Sequence, residues 1–531
     1  MKNRTQEGVS DVTAVEAAVP ITVEYGKMVR QIDHGVHVTF LLSLVALPLS
    51  YLTQVILART SPEAVGIYGA ILLWVAAALC FCYFGSNSVL IKFLPEVSPD
   101  GHLPFLLSYS VLVLGCTLLG VLPFVFSPHL FQLLAGRQLD SSVVPPLLVI
   151  ALLNVFQQVL ISSLKGLLEL ALAQVLTRII TVGCFVSFGG FFFLARSWFR
   201  AHLFAAIAGV HIAFMALSLL LGAFSVLRKL KFSPHVLRWH LPDRFWHFTV
   251  LTEISSIVTF LYSRLDQVMV LFYGSITGLG IYFVLAQLAV AIQLISGFFL
   301  DGVLPALTNV LARVGTDAAR SVYYEAARLN QVIITGCTLA LLCFSRLVLG
   351  TFGPQYFNHW QTYLILVTFS GINSLGSLNA QLMTATGRVS LLLCCQISQV
   401  LVFLMLFGLL GGKQSLSMLA LAQGLSMTVG LVVTMVATTQ LLELGLRIPR
   451  EFRASLAVLL PVAGLISWAG PLSVVRALFL LLLASAAFFV IAGYRWPEIR
   501  ALIALIRIPT GSNNSLRPAT RIFTGLSGVS R

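Results

Sequence analysis

Long apolar runs separated by short polar joints set the pattern of this chain. A helix needs about 20 apolar residues to cross the hydrocarbon core of a bilayer. By that measure the runs predict fourteen spans: 37–58, 66–87, 104–127, 143–164, 170–194, 203–227, 248–272, 276–300, 329–349, 361–384, 390–411, 416–439, 454–470 and 473–494. The runs are continuous rather than alternating, so they predict helices and not barrel strands. Turn and breaker residues fill the joints: SPEAVG at 61–66, EVSPDGH at 96–102, DSSVVPP at 140–146 and GTFGPQ at 350–355. No joint is long enough to hold a separate soluble domain. The chain therefore reads as an all-α polytopic membrane protein. A tail (1–36) precedes a first six-helix bundle (37–227), a basic linker (228–247), a second bundle (248–439), two further helices (440–494) and a basic tail (495–531).

Composition sharpens this. Hydrophobic residues make up 58% of the chain and charged residues 10%, whereas a soluble domain carries roughly 25% charged residues. Water cannot solvate such a surface, which excludes a cytosolic enzyme, a disordered regulator and a disulfide-stapled secreted domain. The net charge of +14 would suit nucleic acid if the cations clustered on one face, and they do not. Of 33 Lys and Arg, 24 fall on one side of the predicted membrane, 7 on the other, and 2 inside spans. The bias keeps its phase in both halves, so the excess is a topology signal that places both termini in the cytoplasm. All eight cysteines lie in apolar runs without metal-ligand spacing and read as small buried residues. The polar first 26 residues predict no cleavable signal peptide.

The chain also repeats itself. EAVGIYGAILLWVAAALCFCYFGSNSVLIKFLPE (63–96) is matched by ITGLGIYFVLAQLAVAIQLISGFFLDGVLPALTN (276–309). Gly66-Ile67-Tyr68 aligns with Gly280-Ile281-Tyr282, and each copy is expected to end at a proline, Pro95 or Pro305. Copies six helices apart share one membrane orientation, which predicts two parallel-related bundles around a central cavity.

Three stretches carry a family resemblance. SPEAVGIY followed by GSNSVLIKFLPE resembles the opening helices of the polysaccharide transporters, the Wzx-type oligosaccharide flippases. These belong to the multidrug/oligosaccharidyl-lipid/polysaccharide (MOP) exporter superfamily. SRLDQVMVLFYGSITGLGIYFVLAQ (263–287) is similar to that family's seventh and eighth helices, with its aspartate at Asp266, and FGPQYFNHW (352–360) is similar to a later region. The resemblance runs from about residue 30 to about 440; many relatives have twelve spans rather than fourteen. It implies movement of a polyprenyl-pyrophosphate-linked oligosaccharide across the bacterial inner membrane by alternating access. It also implies no enzymatic step and no bound cofactor, with a proton or sodium gradient as the candidate driving force. Candidate partners are membrane lipids and other polysaccharide-assembly proteins, not nucleic acid.

Charges inside spans cost at least ~2.5–3.5 kcal/mol and mark functional positions. Arg178, Arg264, Asp266 and Glu253 are the clear cases. A guanidinium matches pyrophosphate oxygens bidentately and keeps its charge, so Arg178 and Arg264 are candidate substrate ligands. Glu253 and Asp266 are candidates for ion coupling or for pairing helices through the arginines. Glu253 and Arg264 share a helix face about 16 Å apart, while Asp266 leaves the helix about 200° from Arg264. Amides suit a glycan: Asn154 and Gln158 stand on one stripe with Ser162, and Asn379 lies in the tenth span. The same amides equally serve to bind neighbouring helices. Lys165 and Glu169 are expected to pair, and His211 to be a satisfied core histidine. A cation-coupled drug antiporter wants an acidic cavity, and a membrane polysaccharide polymerase wants a converging catalytic set; this sequence offers neither.

Overall fold

The computed structural model describes residues 38, 41–42, 45–84, 86–97, 99–126, 143–230, 241, 245–313, 316–386, 388–410, 415–441 and 448–494. The tails 1–36 and 495–531 lie outside these residues, as does most of the predicted linker. Every regular element among the described residues is helical, and twelve helices are long and apolar enough to cross a bilayer. Two predicted spans fall outside those twelve. The first is described only in part, as α1 (45–60) with fragments before it, and the tenth is broken in two.

The chain forms two compact units, Met1–Phe260 and Leu261–Arg531. The first holds α1, α2 (Pro62–Cys82), α3 (Ser86–Phe93), α4 (His102–Phe126), α5 (Val144–Gly166), α6 (Leu170–Leu194), α7 (Arg196–Ala201) and α8 (Leu203–Lys229). It also takes the first half of α9 (Phe245–Tyr273). Here α5 is the hub, packed against α2, α3, α4, α6 and α8. Gly166 closes it beneath α3, where a Cβ would stand 2.8 Å from the Leu90 carbonyl oxygen. The turn that follows carries Leu168 at a φ of 61°, a left-handed conformation that an L side chain adopts at some cost. Beyond it, Glu169 takes Lys229 of α8 as its ion-pair partner, at 2.5 Å. Tyr109, Phe93, Phe105 and Phe245 form an aromatic cluster inside this unit.

The second unit holds the rest of α9, α10 (Ile276–Arg313), α11 (Thr316–Cys343), α12 (Ser345–Phe352), α13 (Pro354–Phe357), α14 (Trp360–Ser374) and α15 (Ser377–Ala385). It continues with α16 (Val389–Leu409), α17 (Leu416–Val436), α18 (Arg450–Ala469) and α19 (Val474–Ile491). The two extra helices are docked, not loose. Thr335 and Ser455 hydroxyls meet at 2.7 Å, and Arg328 of α11 reaches Glu451 at 3.4 Å and the Tyr494 hydroxyl at 2.9 Å. Their outer faces expose Trp468, Val475 and Val490, a surface suited to lipid chains.

The repeat is corrected in one respect and extended in another. In the first copy the helix stops at Cys82 and a separate α3 precedes Pro95, whereas α10 continues through Pro305 to Arg313. That proline therefore does not close the second copy. Both copies open with the same N-cap: the Ala64 amide donates to the Ser61 hydroxyl (3.1 Å), and the Gly278 amide to the Ser275 hydroxyl (2.9 Å). Each serine stands five residues before the glycine of its Gly-Ile-Tyr triplet. Ser61→Ala and Ser275→Ala should each lower stability by about 1 kcal/mol, read as a modest fall in the melting temperature of the purified protein.

Candidate functional site

In the first unit the polar candidates lie on α5 and α6. Asn154 and Ser162 are buried, but the third buried member of the stripe is Gln157, while Gln158 is only half-buried. The Gln157 amide donates to Ser218 of α8 at 2.8 Å, and that hydroxyl donates to the Leu176 carbonyl of α6 at 3.0 Å. This chain ties three helices together. The main-chain oxygen of Gln158 accepts from the Tyr83 hydroxyl at 3.3 Å. His211 meets its expected role: Nδ1 lies 2.8 Å from the Ile207 carbonyl oxygen, and Nε2 lies 4.0 Å from Cys184 Sγ. Glu253 is buried near the thiols of Cys80, Cys82 and Cys116.

Arg178 has a different setting. It stands in a pocket of about 370 Å³ whose other walls are Leu42, Val175, Ile179, Val182, Gly183, Val186 and Phe214. Residues 175, 178, 182 and 186 follow helical spacing on α6, so one guanidinium interrupts an apolar stripe. Val175, Val182 and Val186 are exposed, and the pocket opens along that side. Gly183 lets the Phe214 ring close on the same groove, because a Cβ there would stand 2.4 Å from it. The accessible lining of the groove is almost wholly apolar, so Arg178 contributes its methylene stem to the wall, a surface suited to a hydrocarbon chain.

In the second unit α9 carries Arg264 and Asp266 but does not pair them. Asp266 is 4% exposed, and both its oxygens are taken: Oδ2 accepts from the Tyr282 hydroxyl at 2.8 Å, and Oδ1 from the Gln267 backbone amide at 2.8 Å. Arg264 instead reaches Gln267 Oε1 over a long 3.4 Å. Among the described residues no carboxylate stands within ion-pair distance of Arg264.

Asn379 belongs to a buried polar seam around the broken tenth span. Its Oδ1 accepts from the Tyr323 hydroxyl at 2.6 Å. Close by, Ser296 of α10 donates to Asn330 Oδ1 at 2.9 Å, and Asn330 Nδ2 lies 3.4 Å from the Ser374 carbonyl oxygen and the Ser377 hydroxyl. These groups supply partners where the break between α14 and α15 interrupts the helical ladder. Asn379 therefore works in helix–helix packing, whatever else it does.

With one extra residue in the second copy's joint, the two copies of the repeat also match ahead of the Gly-Ile-Tyr triplet. Ser50-Tyr51-Leu52-Thr53-Gln54-Val55 aligns with Ser263-Arg264-Leu265-Asp266-Gln267-Val268, one helix earlier than the triplet. The charges stand where the first copy has a tyrosine and a threonine. Scaffold positions are shared, and the charged pair is peculiar to the second copy.

Comparison with known proteins agrees with this architecture. Residues 33–311 match the family described as polysaccharide biosynthesis protein. No curated protein sequence matches the chain significantly. Among solved structures, the lipid II flippase MurJ in an inward closed conformation is similar over 88% of this chain and 99% of its own, with a TM-score of 0.66 at 14% identity. An inward-facing multidrug resistance MATE transporter covers 77% of this chain and 98% of its own (TM-score 0.60, 12% identity), and an outward-facing one 79% and 96% (TM-score 0.55, 12% identity). At such identities the likeness is one of fold. The chain belongs to the polysaccharide biosynthesis protein family, and its apolar helices are arranged in a fold similar to those of MurJ and the MATE transporters.

Proposed function

We propose that this protein is a flippase that carries a polyprenyl-pyrophosphate-linked oligosaccharide across the cytoplasmic membrane by alternating access. In this reading both termini lie in the cytoplasm. The observation that carries it is Arg178 set in an otherwise apolar, laterally open groove. In this reading the isoprenoid lies on the valine wall and the pyrophosphate head reaches the Arg178 guanidinium at the edge of the groove. Arg264 supplies a second guanidinium that lacks a carboxylate within ion-pair distance among the described residues, suited to phosphate oxygens. Asn154 and Gln158 are the candidate glycan contacts in the first unit, and Asn379 in the second. Glu253 and Asp266 remain the candidate coupling groups, for a proton or sodium gradient.

Deletion of the gene tests this reading. The expected result is accumulation of a lipid-linked oligosaccharide on the cytoplasmic leaflet, relieved by the wild-type gene. If no such intermediate accumulates and the expressed protein instead drives ethidium efflux, the lipid-linked reading is overturned. An alkaline-phosphatase fusion after Arg244 should be inactive; activity there would reverse the orientation.

A further inference from the structure

Each unit contains an interrupted helix at the same contact of the repeat, but on opposite partners. In the first unit the second span breaks: α2 ends at Cys82, Tyr83 leaves the helical region with a φ of −92° and a ψ of 63°, and α3 starts at Ser86. Its neighbour α5 runs unbroken past this point, and the Tyr83 hydroxyl donates to the Gln158 carbonyl oxygen of α5 at 3.3 Å. In the second unit the counterpart of α5 breaks instead, between Ser374 and Ser377. There α10, the counterpart of α2, runs unbroken from Ile276 to Arg313. Its Ser296 meets Ser377 just beyond the break, hydroxyl to hydroxyl, at 2.9 Å. A break inherited from a common repeat would lie in the same helix of both copies. What the units share is a contact between one jointed and one continuous helix.

The third helix of each unit holds the joint. Tyr109 of α4 and Tyr323 of α11 are 214 residues apart, the same offset that relates Gly66-Ile67-Tyr68 to Gly280-Ile281-Tyr282. Both are buried. The Tyr109 hydroxyl donates to the Phe84 carbonyl oxygen inside the first break, at 2.8 Å. The Tyr323 hydroxyl donates to Asn379 Oδ1, in the first turn after the second break, at 2.6 Å. A break within a span strands main-chain groups that the bilayer cannot satisfy, so partners must come from a neighbouring helix. It also lacks ladder bonds, so it opens at lower free energy than the helix on either side. Hinges are built from such element-terminal residues, which absorb the change in φ and ψ.

We propose that the two breaks are paired hinges of the transport cycle, on which α3 and α15 swing against the continuous helices, with Tyr109 and Tyr323 as the catches. This rests on the alternating-access reading above, in whose topology both segments lie at the cytoplasmic end.

Cysteine pairs test this in the deletion strain, with export read as newly displayed surface glycan. Ser296→Cys with Ser377→Cys replaces the hydroxyl contact across the second hinge. Thr335→Cys with Ser455→Cys replaces a similar contact, 2.7 Å long, between α11 and α18. Copper phenanthroline closes each bond, mass spectrometry verifies it and dithiothreitol reopens it, with oxidised wild type as the reference for the native cysteines. Closing the 296–377 bond should stop export and reopening it should restore export. Closing the 335–455 bond should leave export as in its reduced state. Export that survives the 296–377 bond, or that the 335–455 bond stops equally, overturns the proposal. So does failure of the 296–377 bond alone to form.

Hydrogen exchange of the purified full-length protein in nanodiscs adds a measure that needs no substrate. Tyr323→Phe should speed exchange in α15 about tenfold, the effect of one hydrogen bond, with α10 and α14 unchanged. Tyr109→Phe should do the same in α3, with α5 unchanged. Faster exchange throughout the unit, or none anywhere, marks a tyrosine that only stabilises packing and overturns the hinge. If the wild-type gene restores no export, the flippase reading falls, and exchange alone decides the hinge.

Discussion

Glycan export by a flippase-deficient strain is expected to drop about thirtyfold or more when Arg264 or Arg178 is replaced by alanine, with protein abundance unchanged. The size follows from the setting of each group. A charge-assisted contact in a desolvated site costs about 2–5 kcal/mol when one partner is removed, which is a factor of roughly thirty or more. Abundance should hold because neither position is fully buried. At Arg264 there is in addition no carboxylate within ion-pair distance, among the described residues, to be orphaned. Lysine replacements sharpen the test, since they keep the charge and lose the bidentate fork. Arg178→Lys and Arg264→Lys should fall between wild type and alanine. Full complementation by both alanine variants would remove the arginine–pyrophosphate contacts from the proposal.

Much of this was readable in the chain, and the places where it was not have physical causes. Span positions follow from hydropathy, because a bilayer admits little else but continuous helices. The tenth span read as one helix because Leu, Ile and Val keep the average apolar across 361–384. The break falls at Ser374-Leu375-Gly376-Ser377, where the Ser374 hydroxyl turns back to the Ser370 carbonyl, the Ser377 hydroxyl meets Ser296 and Asn330 of other helices, and Gly376 leaves room for Leu431. The stripe on α5 was legible only to within one residue. Gln157 and Gln158 straddle the same face at about 100° per residue, and the deciding contact, Ser218, lies on a helix far along the chain. At Arg264 and Asp266 the helical angle already implied that the two would look apart. That Asp266 would be met by Tyr282 was not available from periodicity, because it depends on how α10 docks against α9. The signal that would have pointed there is the alignment of SYLTQV with SRLDQV, in which two positions change from neutral to charged while their neighbours stay the same.

The largest effect on stability is expected at Gly371. Helices already in a membrane gain little from further hydrophobic burial, so close backbone approach and dispersion dominate their association. On α14 that approach is extreme on two sides. A Cβ at Gly371 would stand 2.5 Å from Thr338 Oγ1, 2.6 Å from its Cγ2 and 3.1 Å from its Cβ on α11, while Phe369 lies against Gly424 of α17, where a Cβ would meet the ring at 2.3 Å. Thr338 cannot swing clear. It is fully buried, its hydroxyl is bonded to the Ile334 carbonyl at 2.7 Å, and rotation leaves its Cβ in place. Gly371→Ala should therefore destabilise the protein by about 1–3 kcal/mol, and Gly371→Leu should prevent accumulation of folded protein. The displaced helix also carries Ser370 and Ser374, so the Ser370 bond to the Ala289 carbonyl and the seam around Asn330 are strained together. Thr338→Ala deletes the two nearest obstructing atoms, and in the Gly371→Ala background it should restore most of the melting temperature. Equal melting temperatures for Gly371→Ala and wild type would mean that α14 does not depend on this contact for its place in the unit.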